Sequence, residues 1–181
     1  KQMLEHLLTK GYTVFSSHLS GGHWGNTEAA ELALELYAFF IRKEIINEKI
    51  HIIAEGSGAL LLGTICEKLQ DKVRSIVLIN PIISVNQSYE EEKENKLFLK
   101  KMKKELYDAY HLNDETFAEW MEKKTDIMID ADLPVLIVHV LEKLDSNLPI
   151  KYQAFIDNHP LSEIKYITPE GIDEEKKKII S

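Results

Sequence analysis

The sequence predicts an α/β fold in which a mostly parallel sheet carries helices on both faces. Short apolar runs rich in β-branched residues alternate with longer segments whose apolar residues recur at helical spacing. The apolar runs are nearly continuous, which is typical of parallel strands that are buried on both sides. At 181 residues the chain is long enough for one domain, 1–181, with a sizeable core.

The predicted elements alternate along most of the chain. We predict five strands, at Tyr12–Phe15, Ile50–Ala54, Ser75–Asn80, Leu133–Val140 and Glu163–Ile167. Helices are predicted at Met3–Lys10, from Thr27 to about Asn47, at Ala59–Leu69 and around Ile150–Asp157, with a Lys/Glu-rich helix at the end. Thr27 can cap the second of these helices, and Gly11 can end the first.

The segment Ile82–Asp132 breaks this alternation, because it is poor in strands and densely charged. One apolar stripe runs through residues 89–110, and Phe117, Trp120 and Met121 share the face of a later helix. Its mixed Lys and Glu side chains predict a solvated helix face. We therefore predict a helical insertion, 82–132, over one edge of the sheet.

The composition excludes several classes of function. Lys and Arg number 22 and Asp and Glu number 30, so the formal net charge is −8. That charge argues against nucleic acid and anionic lipid as general partners. The chain has one cysteine, Cys66, and no apolar run of about 18 residues, so we predict a cytoplasmic protein without a membrane span.

The turn after the strand at residue 50 is the most informative segment for function. Glu55-Gly56-Ser57-Gly58 leads directly from a buried strand into a helix, and such turns carry the functional groups of parallel α/β sheets. A phosphate-binding loop would need a Gly-Lys-Ser/Thr ending, and a dinucleotide site a third glycine, and neither is present. A nucleophile elbow, with a serine between small residues, remains.

At this point the chain resembles the α/β-hydrolase fold family of serine esterases and lipases. The resemblance rests on motifs that occur in the family's order: Thr13–His18 with Gly21-Gly22, the strand and elbow Ile50–Gly63, the strand Ser75–Pro81, the strand Leu133–His139, and Asp145 with Pro149. It implies that 82–132 is the family's helical cap and that Asp145 is the catalytic acid. The family's first strands are absent from this stretch and its oxyanion loop would precede Lys1, so we expect either a truncated chain or a trimmed fold.

Two positions depart from the family pattern. With Ala54 and Gly58 as the small flanking residues, the nucleophile position is Gly56, which has no side chain. Moving the register by one makes Ser57 the nucleophile but puts the bulky Glu55 where a small residue is required, so we favour the first register. The resemblance also implies a histidine where the chain has Ile172, which cannot act as a base.

Our first hypothesis is therefore a catalytically degenerate hydrolase fold that binds a small ester or acyl ligand, or a protein partner, without a cofactor. The alternative is an active serine esterase in which Ser57 is the nucleophile, Asp145 orients the base, and His159 is the base. Nucleotide binding at Gly56–Gly58 is a weaker third option.

Several other residues are candidates for the pocket rather than for catalysis. His18 and His23 lie in a loop without a third ligand at zinc spacing, so we predict a polar loop at the pocket mouth. His139 is expected to be a hydrogen-bonded core histidine. The residues predicted to line a pocket are His18, His23, Trp24, Glu55, Gly56, Gly58 and Trp120.

Overall fold

The centre of the protein is a four-stranded parallel sheet. The computed structural model describes residues 2–123, 127, 129, 132–141 and 152–167. Its strands are β1 (Ile50–Glu55), β2 (Val73–Ile79), β3 (Val135–Val140) and β4 (Ser162–Ile167), which are adjacent in chain order. Every pairing is parallel. The predicted α/β class with a parallel sheet is confirmed.

Seven described helices connect or precede the strands. They are α1 (Gln2–Thr9), α2 (Thr27–Lys43), α3 (Leu62–Leu69), α4 (Val85–Glu91), α5 (Lys96–Tyr110), α6 (Asp114–Lys123) and α7 (Gln153–Asp157). Two short 3₁₀ segments, Gly56–Leu61 and Gln70–Lys72, flank α3. Three of the described helices, α4 to α6, lie in the connection between β2 and β3.

The main core forms where helices cover one face of this sheet. The central strands contribute Leu78 and Ile137, which are fully buried. Leu62 of α3 and Phe155 of α7 belong to the same apolar cluster, as does Tyr37 of α2. Burial is greatest in the two central strands, whereas β1 and β4 at the edges each have one buried residue.

The prediction of a strand at Tyr12–Phe15 is wrong. These residues form no ladder, because no backbone hydrogen bond joins them to β1 in the part of the chain that the structure describes. The segment is held by side chains instead. The Phe15 ring stacks on Phe40 of α2 at 4.6 Å between centroids, and the Tyr12 ring meets His51 edge-on at 5.9 Å. Strand propensity without a partner does not make a strand.

Asparagine side chains, rather than apolar periodicity, set several helix starts. Asn26, not the predicted Thr27, caps α2 by accepting a hydrogen bond from the Ala29 amide. Asn95 caps α5 in the same way, so the apolar stripe of residues 89–110 is divided between two helices. Asn113 accepts hydrogen bonds from the Glu115 and Thr116 amides at the start of α6.

Some predicted elements lie outside the described residues. These are the final Lys/Glu-rich helix, the start of the helix around Ile150, and parts of 124–131. The extent of the insertion, 82–132, therefore stays a prediction. Within the described ranges, no helix has both the length and the apolar character needed to cross a bilayer.

Candidate functional site

The carboxyl ends of the strands lie together at one edge of the sheet. The strands are in register up to these ends, so Gly56, Asn80 and His139 follow one another along the edge. Asn80 has a positive φ of +44°, and its side-chain oxygen accepts a hydrogen bond from the Val140 amide at 2.8 Å. Strained backbone of this kind is common where a sheet carries a site. Sequence analysis did not single out Asn80 for this role.

The chain turns sharply at Gly56, directly after β1. Gly56 has a φ of +54°, a conformation that residues with a Cβ rarely adopt, and it starts the 3₁₀ segment that leads into α3. Its carbonyl accepts a hydrogen bond from the Ile82 amide at 3.0 Å, which ties the corner to the end of β2. A Cβ built on Gly56 would meet no heavy atom within 4 Å, so the position has open space in front of it.

The small residues on either side of the corner face each other. Ala54 is buried, and a Cβ built on Gly58 would lie 3.9 Å from the Ala54 Cβ. These are the positions two before and two after Gly56, and they lie at ordinary van der Waals distance from each other across the turn. Ser57 is half-buried within the 3₁₀ segment, while Glu55 is exposed at the end of β1.

No described histidine is hydrogen-bonded to Ser57. His159, the candidate base, is buried and stacks on Phe155 at 4.1 Å between ring centroids. Its Nδ1 lies 2.7 Å from the Phe155 carbonyl oxygen and its Nε2 lies 2.8 Å from the Ile129 carbonyl oxygen. Both ring nitrogens are therefore engaged with backbone groups, and the structure does not bring His159 to Ser57.

His139 lies at the end of β3, two strands from the corner, and is hydrogen-bonded to Tyr152. Its Nδ1 lies 2.9 Å from the hydroxyl oxygen of Tyr152. The Tyr152 side chain is completely buried. Burial raises the pKa of Tyr152, so its phenol stays neutral. The same hydroxyl lies 3.5 Å from the carbonyl oxygen of Pro81. His139 is hydrogen-bonded, as predicted, but it is half-buried and not the core histidine that the sequence suggests.

The loop of residues 16–26 is strained and anchored to α5. Leu19, Ser20 and Trp24 have positive φ angles, as do three of its glycines. The Trp24 indole N–H donates to Glu105 at 2.8 Å, and the Tyr110 hydroxyl donates to the Trp24 carbonyl at 2.8 Å. Burial and the nearby Glu28 carboxylate raise the pKa of Tyr110 to about 12. Trp24 is itself buried, so it fixes the loop rather than projecting from it.

Aromatic side chains fill the space between this loop and the helices α4 to α6. Trp24 belongs to a cluster with Phe117 and Met102, against which Trp120 packs. The Trp120 ring lies 4.5 Å from that of Tyr110. Trp120 therefore belongs to the packing under these helices.

The two loop histidines lie in different environments. His18 is exposed, whereas His23 is buried and its Nδ1 accepts the Gly25 amide at 3.1 Å. Among the described residues, no group of three or more histidine, cysteine, aspartate and glutamate side chains could hold a metal ion.

We expect the stability of the protein to fall as the pH drops below about 6.5, partly through His23. Burial lowers the folded-state pKa of His23 from 6.5, so the unfolded chain binds its proton at higher pH than the folded chain does. This stabilisation is complete above the unfolded pKa and is lost as the pH falls towards the folded pKa. Denaturant unfolding gives the free energy of unfolding at pH 7 and at pH 5. Between these pH values it should fall less for His23→Gln than for the wild type. For the exposed control His18→Gln, the free energy of unfolding should fall as much as for the wild type. An equally large fall for His23→Gln would contradict the burial argument.

The remaining predicted site residues lie outside the described residues. These are Asp145, which the resemblance assigns as the acid, and Ile172 at the histidine position.

The comparisons with solved structures establish the fold. Over 99% of its length the chain is similar to VinJ, with 12% identity, 85% of that chain covered and a TM-score of 0.54. Over 98% it is similar to a carboxylesterase structure from Nitrososphaera gargenis, with 13% identity, 82% of that chain covered and a TM-score of 0.53. A proline iminopeptidase from Mycobacterium smegmatis matches over 99% of this chain and 84% of its own, at 13% identity and a TM-score of 0.50. The chain therefore has the α/β-hydrolase fold.

No protein-family model and no curated protein sequence matches the chain. At 12–13% identity the structural likeness establishes the fold alone.

Proposed function

We propose that this protein is a catalytically silent member of the α/β-hydrolase fold that acts as a binding module. The observation that carries the proposal is the corner after β1, where the positive φ falls on Gly56 and not on Ser57. In a nucleophile elbow the strained residue is the one that presents its side chain above the sheet. Here that residue offers only backbone and open space.

The surroundings of Ser57 support the same proposal. A serine hydroxyl becomes an effective nucleophile only when a base removes its proton. The buried His159 is bonded to two backbone carbonyls, and His139 is bonded to Tyr152. The sequence places Ile172 where the resemblance calls for a histidine. Because triad members act as a unit, losing both nucleophile and base removes most of the catalytic advantage.

The binding role follows from what the fold retains. The open space before Gly56 lies at the sheet edge where α/β proteins bind their ligands. We propose a small ester- or acyl-type molecule as the ligand of this edge, with α4 to α6 as its cap. The single cysteine and acidic composition support a cytoplasmic location.

A fluorophosphonate probe tests the absence of catalysis directly. We expect the wild type to react no faster than Ser57→Ala, because Ser57 has no base within hydrogen-bond reach. The exposed serine control Ser20→Ala should behave identically. Peptide mass spectrometry that finds a phosphonate on Ser57, together with its loss in Ser57→Ala, would establish the alternative of an active esterase.

Gly56→Ser is the complementary variant. It places a hydroxyl at the corner, where there is room for a Cβ. We expect it to remain unlabelled, since the base is missing as well. Labelling of this variant would show that a working base is present and would contradict the proposed double loss.

A further inference from the structure

The solvent face of α5 carries a row of lysines. Lys96, Lys100 and Lys104 are exposed and four residues apart, so they are neighbours on one side of the helix. The opposite side holds Met102 and Leu106, which are almost completely buried. The row therefore faces away from the protein.

These three lysines lack the partners that the other lysines of α5 have. Lys101 pairs with Glu105 at 3.7 Å, and Lys103 pairs with Asp114 at 2.7 Å. Of the carboxylates that the structure describes, none lies within 4.0 Å of the row. This is notable in a chain with 30 acidic and 22 basic residues, where acidic partners are in excess.

The row is also unfavourable for the helix that carries it. Like charges four residues apart repel each other and destabilise a helix. Lys96 is the first residue of α5, where the helix dipole favours a carboxylate, and the first turn contains no acidic residue. Residues that destabilise their own helix and gain no compensating contact are expected at functional surfaces.

An exposed apolar side chain lies beside the lysines. Leu97 is 84% exposed and belongs to the same solvent face as Lys100 and Lys104. A large exposed apolar side chain beside a row of lysines provides a contact anchor within an electrostatic recognition surface.

We infer that the α5 lysine face (Lys96, Leu97, Lys100 and Lys104) binds an acidic helical segment of a partner protein. The lysines repeat every four residues over about 12 Å of helix, so carboxylates with the same repeat on a facing helix can meet them one by one. Leu97 is a single exposed side chain, so the face offers only a small apolar area for insertion into lipid. This inference depends only on residues of α5, so its test is independent of the test for the proposed loss of catalysis.

The test uses a fluorescein-labelled helical peptide of about 20 residues with three glutamates at four-residue spacing and a neighbouring leucine. Fluorescence anisotropy should show saturable binding to the full chain that weakens as salt is added. A peptide with glutamines in place of the glutamates should bind roughly tenfold more weakly or worse. Equal binding of the two peptides, or no saturable binding, would overturn the inference.

Charge-reversal variants locate the binding surface. Lys100→Glu with Lys104→Glu should weaken peptide binding by roughly tenfold or more. The control pair Lys10→Glu with Lys68→Glu changes the net charge equally at exposed positions elsewhere and should leave the affinity within about twofold. Equal losses in the two pairs would mean that only net charge matters. Tighter binding to phosphatidylserine vesicles than to the peptide would assign the face to lipid and also overturn the inference.

A stability measurement separates recognition from a structural role. Lys100→Glu removes repulsion from both neighbouring lysines and places a carboxylate one turn before Lys104. We expect it to raise the unfolding midpoint by roughly 1–3 °C while it weakens peptide binding. A lower midpoint would show that the lysine supports the fold.

Discussion

We expect Gly25→Ala to destabilise the protein by about 2–4 kcal/mol, because two costs combine at this position. Gly25 has a φ of +80°, which penalises any residue with a Cβ. A Cβ built there would also lie 2.6 Å from the Cβ of Leu60, an atom that cannot move without its backbone. Leu60 belongs to the 3₁₀ segment that follows the corner, so the substitution pushes the loop of residues 16–26 away from the candidate site.

Gly11→Ala is the matched control for this prediction. Gly11 has a φ of +84°, close to that of Gly25, but a Cβ built there meets no atom within 4 Å. We expect it to cost only about 1 kcal/mol, the price of the backbone conformation. Denaturant unfolding measures the loss in free energy of unfolding for each variant. The difference between the two losses is the cost of the clash between the loop and Leu60. Equal losses would mean that the loop does not pack there.

The second large effect is expected at Tyr152. Its side chain is completely buried in the core cluster that joins α7 to the central strands, so Tyr152→Ala should cost about 3–5 kcal/mol. Tyr152→Phe keeps the ring and loses the hydroxyl that contacts His139, and should cost about 1 kcal/mol.

An exposed tyrosine controls for loss of a ring as such. Tyr12 is 45% exposed and contacts the ring of His51. Tyr12→Ala should therefore change the free energy of unfolding by roughly 0.5–1 kcal/mol. If thermal and denaturant unfolding show Tyr152→Ala to be as mild as this control, the Tyr152 side chain is not packed in the core as the structure describes.

The parallel sheet was predictable because each strand is recognisable from its own short stretch of sequence. Four apolar runs rich in β-branched residues became β1 to β4 in chain order, and helical segments lie between them. Parallel strands need crossover connections, so the alternation of the elements nearly determines their pairing. The similarity to VinJ and to the carboxylesterase confirms the fold class that the elbow motif suggested.

The failed strand at Tyr12–Phe15 shows where local information ends. Its residues have strong strand propensity, yet a strand also needs a neighbour, and pairing is a property of the whole fold. The break before α5 was missed for a different reason. The apolar stripe continues through it, and only the Asn95 side chain marks the new start.

The histidines could not be placed from sequence because their partners are distant in the chain. Nothing local indicates that His159 faces the Ile129 carbonyl or that His139 meets Tyr152. The turn at the corner was easier to predict from sequence than the histidine positions. Its small residues predict a tight turn, and the structure places the positive φ at Gly56, the residue that the favoured register assigns to the nucleophile position.

The proposed catalytic silence rests on which residue of the corner takes the strained conformation. The most direct measurement is a crystal structure of the protein after exposure to a fluorophosphonate. We predict a positive φ near +54° at Gly56, an unmodified Ser57, and no imidazole within hydrogen-bond distance of its hydroxyl. A phosphonate bonded to Ser57 with a histidine beside it would contradict the account.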